Sequence, residues 1–272
     1  MDAVRPRSVV ELGTHYGFSY FVFCEAVVRL GLETTAHALD TWQGDDQAGM
    51  YGEEVYDFVS TVNERDYSGF SRLLRGYFDD SLSEIPDGSV DLLHIDGRHG
   101  LEDVTHDFNS WLPKLSPRGV VLFHDIAEHQ PGFGVWQFWE TVSRRYPSFA
   151  FTHSHGLGVL GVGSDLPERL LGFFAAGAQF GDEIRASYED LGANVEELAS
   201  IHQRAAAEVA LRAELAAARD ELVRVNEERA RERDAAAADL EGARQQLAAV
   251  HASTSWKVTR PLRALRPKPG RN

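Results

Sequence analysis

The string HIDGRHG, from His94 to Gly100, closes an apolar run with Asp96 and adds His99, and GVVLFHD, ending at Asp125, closes another with His124 and Asp125. Carboxylates at two neighbouring strand ends offer the hard oxygen ligands that Mg2+ or another divalent cation prefers, with waters or substrate hydroxyls completing the shell. The imidazoles of His99 and His124 titrate near neutrality and suit a general base. A weakly acidic hydroxyl would need both, a positive centre for the developing alkoxide and a group to take its proton. Two plainer roles compete for Asp96 and Asp125: orienting a ligand, or capping the helices that follow.

A second stretch, VVELGTHYGFS (Val9–Ser19), gathers Glu11, Gly13, Thr14, Gly17 and Ser19 where an apolar strand turns into a helix. Glycines there let the backbone adopt unusual φ and approach a ligand, and the helix start offers free N–H groups. His15 breaks the G-x-G-x-x-G fingerprint and no Walker lysine follows, so neither a pyrophosphate cradle nor a P-loop is expected. Asp40 ends the next strand, where a carboxylate can accept hydrogen bonds from both hydroxyls of a ribose. The set points to a nucleoside lacking a pyrophosphate. The bland alternative is a tight strand-to-helix connection with Asp40 as a cap.

The elements that must position these residues are readable as an alternation. Short β-rich runs at SVVEL, the run ending in Asp40, SRLLR, VDLLHID and GVVLFHD alternate with helical patterns at YFVFCEAVVRL, GEEVYDFVSTV and LEDVTHDFNSWL. That is an α/β chain with a mostly parallel sheet. FAFTHS and LGVLGV, joined tightly around Gly156, add an antiparallel hairpin at its end. The acidic segment DTWQGDDQAGMYGEEVY, with Trp42, Met50 and Tyr51, is longer than a bare connection needs and suits either a glycan-covering loop or a docked surface loop.

Residues 1–168 are expected to form this domain and 169–181 a linker. Residues 182–250 hold no proline and two glycines, and Ala, Glu and Arg dominate them, as a long helix requires. Ile184, Tyr188, Leu191, Val195 and Leu198 make one heptad seam and Leu211, Leu215, Ala218, Leu222 and Val225 another, so this segment is read as a coiled coil or a single solvated helix, able to self-associate or to take a partner helix. The last part, 251–272, mixes Trp256, Val258, Leu262 and Leu265 with Lys257, Arg260, Arg263 and Arg266. It suits either contact with an anionic membrane surface or a disordered tail.

VVELGTHYGFS, Asp40-Thr41-Trp42 and HIDGRHGLEDVTHDFNSWLPKLSPRGVVLFHDI resemble the class I S-adenosylmethionine-dependent methyltransferases, in the branch with sugar and macrolide O-methyltransferases. The resemblance covers residues 8 to 163. It implies a Rossmann-like seven-stranded sheet, S-adenosylmethionine as methyl donor and an oxygen acceptor, here a sugar or glycan hydroxyl. By that resemblance Glu11, Gly13 and Gly17, with Thr14, Ser19 and Asp96 beside them, line the donor's methionine side, Asp40 takes the ribose, and Gly76 and Tyr77 pass the adenine. Metal-dependent sugar O-methyltransferases are similar at the strand ends of Asp96 and Asp125. STSWKVTRPLR resembles tails of bacterial surface-polysaccharide enzymes. Two other readings stand beside it: a non-catalytic coiled-coil scaffold whose α/β domain binds a ligand, and a hydroxylase-like oxygenase.

Charge narrows the classes. The net charge of −15 divides into −14 over residues 1–181, −7 over 182–250 and +6 over 251–272, so the body lacks the clustered Lys and Arg that phosphate-backbone binding needs, and nucleic acid is not an expected partner. A single cysteine, Cys24, excludes a disulfide framework. No long apolar run and no secretory h-region is present, so a cytoplasmic setting is expected, peripheral to the inner membrane face if the tail engages it.

Overall fold

A computed structural model describes the backbone of residues 1–45 and 49–260. Its strands are β1 (Ser8–Leu12), β2 (Thr35–Asp40), β3 (Gly44–Asp45), β4 (Gly49–Met50), β5 (Ser71–Arg75), β6 (Val90–Ile95), β7 (Leu115–His124), β8 (Ser148–Phe151) and β9 (Leu157–Gly161). The helices are α1 (Phe18–Leu30), α2 (Glu53–Asp66), α3 (Leu101–Trp111), α4 (Val135–Val142), α5 (Glu168–Ala252) and α6 (Thr254–Val258). Seven strands form one sheet in the order β5-β2-β1-β6-β7-β9-β8, parallel throughout except for β9, which runs against both of its neighbours. This is the expected Rossmann-like seven-stranded sheet, with a reversed strand and a terminal hairpin. β3 and β4 form a separate small ladder within the acidic loop.

Alternation along each strand builds two apolar layers. Val9, Ala36, Ala38, Leu92 and Val120 face one layer with Tyr20, Cys24, Val55 and Val59 from α1 and α2. Val10, Leu12, Leu39, Leu93, Val121 and Phe123 face the other with Val104, Phe108 and Trp111 of α3 and Val135 and Val142 of α4. β1 continues through α1 to β2 on one side while β6 lies on its other side, so the chain reverses direction at β1. A crevice opens there beyond the carboxyl ends of the strands. Burial pushes the Cys24 thiol up to about 12, which leaves it a packing group.

Two expectations need correction. Residues 169–181 are not a linker: they are helical, and Leu170 and Phe174 lie buried in the core beside Phe149 and Phe151. The backbone leaves helical geometry at Phe180 (φ −128°, ψ 33°). The hairpin is also looser than a two-residue turn, because Phe151 pairs with Leu157 and five residues separate them. The chain divides into two compact units, Met1–Asn194 and Val195–Asn272. In the second, the helix continues to Ala252 with Leu211, Leu215, Leu222 and Leu247 exposed, and Ser253 caps α6 by accepting the Trp256 N–H at 3.3 Å. The basic tail from residue 261 lies outside the described residues. Among the described residues, no helix is long and apolar enough to cross a membrane.

Candidate active site

A cavity of about 950 Å³ occupies the crevice. Gly13, Thr14, Ser19, Asp40, Tyr77, Asp96, His99 and His124 line it, so most of the residues singled out by sequence meet in one place. Glu11, Gly17, Gly76 and Asp125 do not line it. Gly17 starts α1 with φ +80° and borders an adjoining apolar hollow with Phe21, Val22 and Phe58. Gly76 donates its N–H to the Asp40 carbonyl at 2.9 Å and so ties the Tyr77 turn to the end of β2.

The turn after β1 is held by backbone geometry. Gly13 has φ +88°, and a Cβ on it would lie 2.1 Å from the Asp96 carbonyl oxygen, so only glycine lets the two strand ends come so close. His15 has φ +50°, in the left-handed region that disfavours a side chain, and its ring lies against Tyr16 and Tyr51 at centroid distances of 4.7 and 5.0 Å. Asp40 secures this strained turn. Its Oδ2 accepts the N–H groups of Thr14 (2.9 Å) and His15 (2.8 Å), and its Oδ1 accepts that of Trp42 (2.7 Å). Three of the roughly four acceptor positions of the carboxylate are thereby used, leaving about one for a ligand hydroxyl.

Beneath the turn, Glu11 is fully buried. Its Oε1 accepts from the Ser19 hydroxyl at 2.7 Å and lies 2.9 Å from His94 Nδ1, on the adjacent strand in direct register. Its Oε2 has no partner, and neither does the buried Thr14 Oγ1. Buried polar atoms are normally satisfied. Thr14 is part of the cavity wall, and its orphaned Oγ1 is what a polar ligand end, such as the amino acid end of S-adenosylmethionine, would complete; on that ground the residues fit this donor.

The second cluster sits at the ends of β6 and β7. Asp96, His124 and Asp125 each present one ligand atom, all within 4.8 Å of one another. Two carboxylates and an imidazole at that spacing fit a divalent cation. His124 Nδ1 lies 3.1 Å from Asp96 Oδ1 and 3.0 Å from Asp125 Oδ1. Burial opposes the charge on this imidazole, but the contacts with Asp125 and Asp96 outweigh it and push it up to about 10. Burial likewise works against the Asp125 carboxylate, yet His124 and His99 hold it well below the usual range. His99 Nε2 is 2.8 Å from Asp125 Oδ2, and its ring stacks on Phe133 at 4.7 Å. Asp125 has φ +62°, which turns its side chain back from the end of β7 toward both imidazoles.

Sequence reasoning missed His94, His153, Ser154 and His155 in the cavity wall and Glu128 behind it. The signal for His94 is its buried position one residue before the end of β6, matching Glu11 in β1. For the hairpin loop, the signal is that β8 runs parallel to β7 and therefore ends at the same edge of the sheet.

Residues 10–126, which include both clusters, match the profile of a family described as "Methyltransferase domain". The match lies within the α/β unit and takes in less than half of the chain. The chain is 56% identical over 170 residues to the uncharacterized protein y4gI of Sinorhizobium fredii, an alignment that takes in 62% of this chain and 19% of that protein. The chain thus spans about a fifth of the length of this curated relative. Similar solved structures include an O-methyltransferase from Bacillus cereus in complex with SAH (17% identity, 58% of this chain and 74% of that one, TM-score 0.44). Another is the O-methyltransferase TomG from Streptomyces achromogenes, involved in tomaymycin synthesis, in complex with SAM (16% identity, 58% and 74%, TM-score 0.44).

Proposed function

We propose that this chain is an O-methyltransferase that moves the methyl group of S-adenosylmethionine to a sugar hydroxyl of a glycan or activated sugar, with a divalent cation assisting. The observation that carries this reading is the juxtaposition, along one cavity, of the glycine turn with its orphaned Thr14 hydroxyl and the Asp96–His124–Asp125 cluster.

The chain's own residues divide the work. Thr14 and Ser19 take the methionine end of the donor, with Glu11 holding the Ser19 hydroxyl from beneath, Asp40 braces the turn and keeps room for a ribose hydroxyl, and Tyr77 flanks the base. Asp96 and Asp125 hold the cation, with His124 beside them. When bound, the donor supplies an electrophilic methyl on sulfonium and the cation supplies Lewis-acid stabilisation of the acceptor oxygen. His99, oriented by Asp125 and stacked on Phe133, is the proposed base that takes the hydroxyl proton. The exposed leucines of residues 195–252 support self-association, which sedimentation of the full chain measures.

The test is incubation of the full chain with labelled S-adenosylmethionine and a panel of nucleotide sugars and glycosides, with and without chelator. Transfer that is abolished by chelator, restored by Mg2+ and lowered roughly 100-fold or more in kcat by His99→Gln is expected. Absence of transfer in every lane overturns the reading, and transfer insensitive to chelator removes the cation from it.

A further inference from the structure

Residues Thr152–Gly156, which join β8 to β9, bring His153, Ser154 and His155 to the wall of the same cavity. This loop is pressed onto the segment that follows Asp125. Gly156 has φ +85°, and a Cβ there would meet Ala127 N and Cβ at 2.8 Å and Ile126 Cγ1 at 2.9 Å, so glycine alone permits the approach. The Ala127 N–H donates to the His155 carbonyl at 2.9 Å, and the Glu128 N–H donates to the Asp125 carbonyl at 3.2 Å. His155 is thereby fixed relative to the cation-type cluster through backbone bonds.

The side chains form a pair. His155 Nδ1 lies 2.7 Å from Glu128 Oε1, with the carboxylate sheltered at 18% exposure and the imidazole open at 61%. An ionised carboxylate only accepts, so Nδ1 carries the proton and donates it, and in the neutral ring Nε2 keeps its lone pair. A carboxylate that fixes one ring nitrogen selects the tautomer and orientation of the other. The His155 ring centre lies 6.0 Å from that of His124, which touches Asp96 and Asp125. A sugar ring carries several hydroxyls, so one can meet each imidazole at once.

We propose that Glu128 and His155 form an acceptor-binding subsite in which His155 Nε2 accepts a hydrogen bond from one hydroxyl of a polyhydroxylated acceptor while a second hydroxyl of the same molecule lies at the Asp96–His124–Asp125 cluster. The proposal deepens the acceptor class proposed above and rests on it. It makes the site selective for polyols: an acceptor with a single hydroxyl forgoes one hydrogen bond to the imidazole and binds several-fold to about tenfold more weakly.

The experiment uses the 15N-labelled full chain saturated with S-adenosylhomocysteine. The His155 ring signals are assigned by their loss in His155→Gln, and the protein is titrated with methyl glucoside, methyl mannoside and methyl rhamnoside, with cyclohexanol as the single-hydroxyl control. Expected results are a Nδ1-protonated tautomer, displacement of the His155 signals by at least one glycoside and not by cyclohexanol, and about tenfold weaker glycoside binding in Glu128→Gln with S-adenosylhomocysteine affinity unchanged. If no glycoside moves the His155 signals, or Glu128→Gln binds glycosides as well as the parent, the subsite is overturned. Methyl transfer is scored in parallel. Displacement without transfer upholds the subsite and overturns the transferase reading, whereas transfer without displacement does the reverse.

Discussion

Asp107 tests the architecture beneath the active site without any acceptor in hand. It lies on the inner face of α3 at 7% exposure, and a Cβ on Gly97 would sit 3.3 Å from its Oδ2, so the carboxyl lies under the turn that carries Asp96. Burial, opposed by the charge of nearby His106 and reinforced by Asp103 and Asp79, pushes it from 3.8 up to about 7. Between those values the folded protein retains a proton that the unfolded chain has released. The stability attached to the neutral carboxyl is therefore complete below the unfolded value, falls as pH rises from about 4 to about 7, and is gone above it. Roughly three units at about 1.4 kcal/mol each sets the swing at up to about 4 kcal/mol. For a domain of this size that corresponds to about 8–16 °C in Tm. Asp107→Asn keeps the shape and cannot ionise. Calorimetry of variant and parent at matched ionic strength is expected to show similar Tm values near pH 4 and a growing advantage for the variant up to about pH 8. Taking the difference between the two proteins cancels the titration of every other carboxylate. A gap that does not change with pH, or a parent more stable than the variant at pH 8, refutes the reasoning, because it would mean that Asp107 is ionised and well bonded in the folded state.

Two backbone positions give further checks. Gly13→Ala forces a Cβ to within 2.1 Å of the Asp96 carbonyl at a φ of +88°, so the two clusters must move apart; a loss of about 2–4 kcal/mol in denaturant unfolding and at least tenfold weaker S-adenosylmethionine binding are expected. His15→Gly removes a side chain from a φ of +50°, where relief of about 1 kcal/mol offsets the added flexibility of the unfolded chain. Its Tm is expected to stay within a few degrees of the parent, and a drop beyond that would show that the ring contacts with Tyr16 and Tyr51 outweigh the strain.

How much of this was legible in the sequence depends on which interactions are local. Asp96 and Asp125 were placed correctly because each ends an apolar run, and β6 and β7, buried and adjacent, bring those ends together. Asp40 was found by the same rule. Its three backbone partners were not, since the N–H groups of Thr14 and His15 reach it only once the turn has taken its unusual φ values. His15 stood out as a departure from a glycine pattern, and the left-handed backbone there explains why glycine is the easier residue. Segment 169–181 was expected to be a linker, and the fold makes it the start of α5. At Gly177 a Cβ would lie 2.5 Å from the Phe149 ring, so the glycine lets the helix settle onto β8.

The same distinction separates the two histidines that the sequence left equivalent. His99 follows β6 and His124 ends β7, and residue type alone does not tell them apart. Only the fold puts the carboxylates of Asp96 and Asp125 near one nitrogen of His124 and that of Asp125 at Nε2 of His99. The left-handed backbone at Asp125 sends its carboxylate between the imidazoles, one oxygen to each. How the surroundings of the two imidazoles differ thus follows from how Asp125 is turned, a property of one φ angle that composition and spacing do not carry. His155 follows the same logic at longer range. Its tautomer is set by Glu128, which the close approach of Gly156 to Ala127 brings beside it.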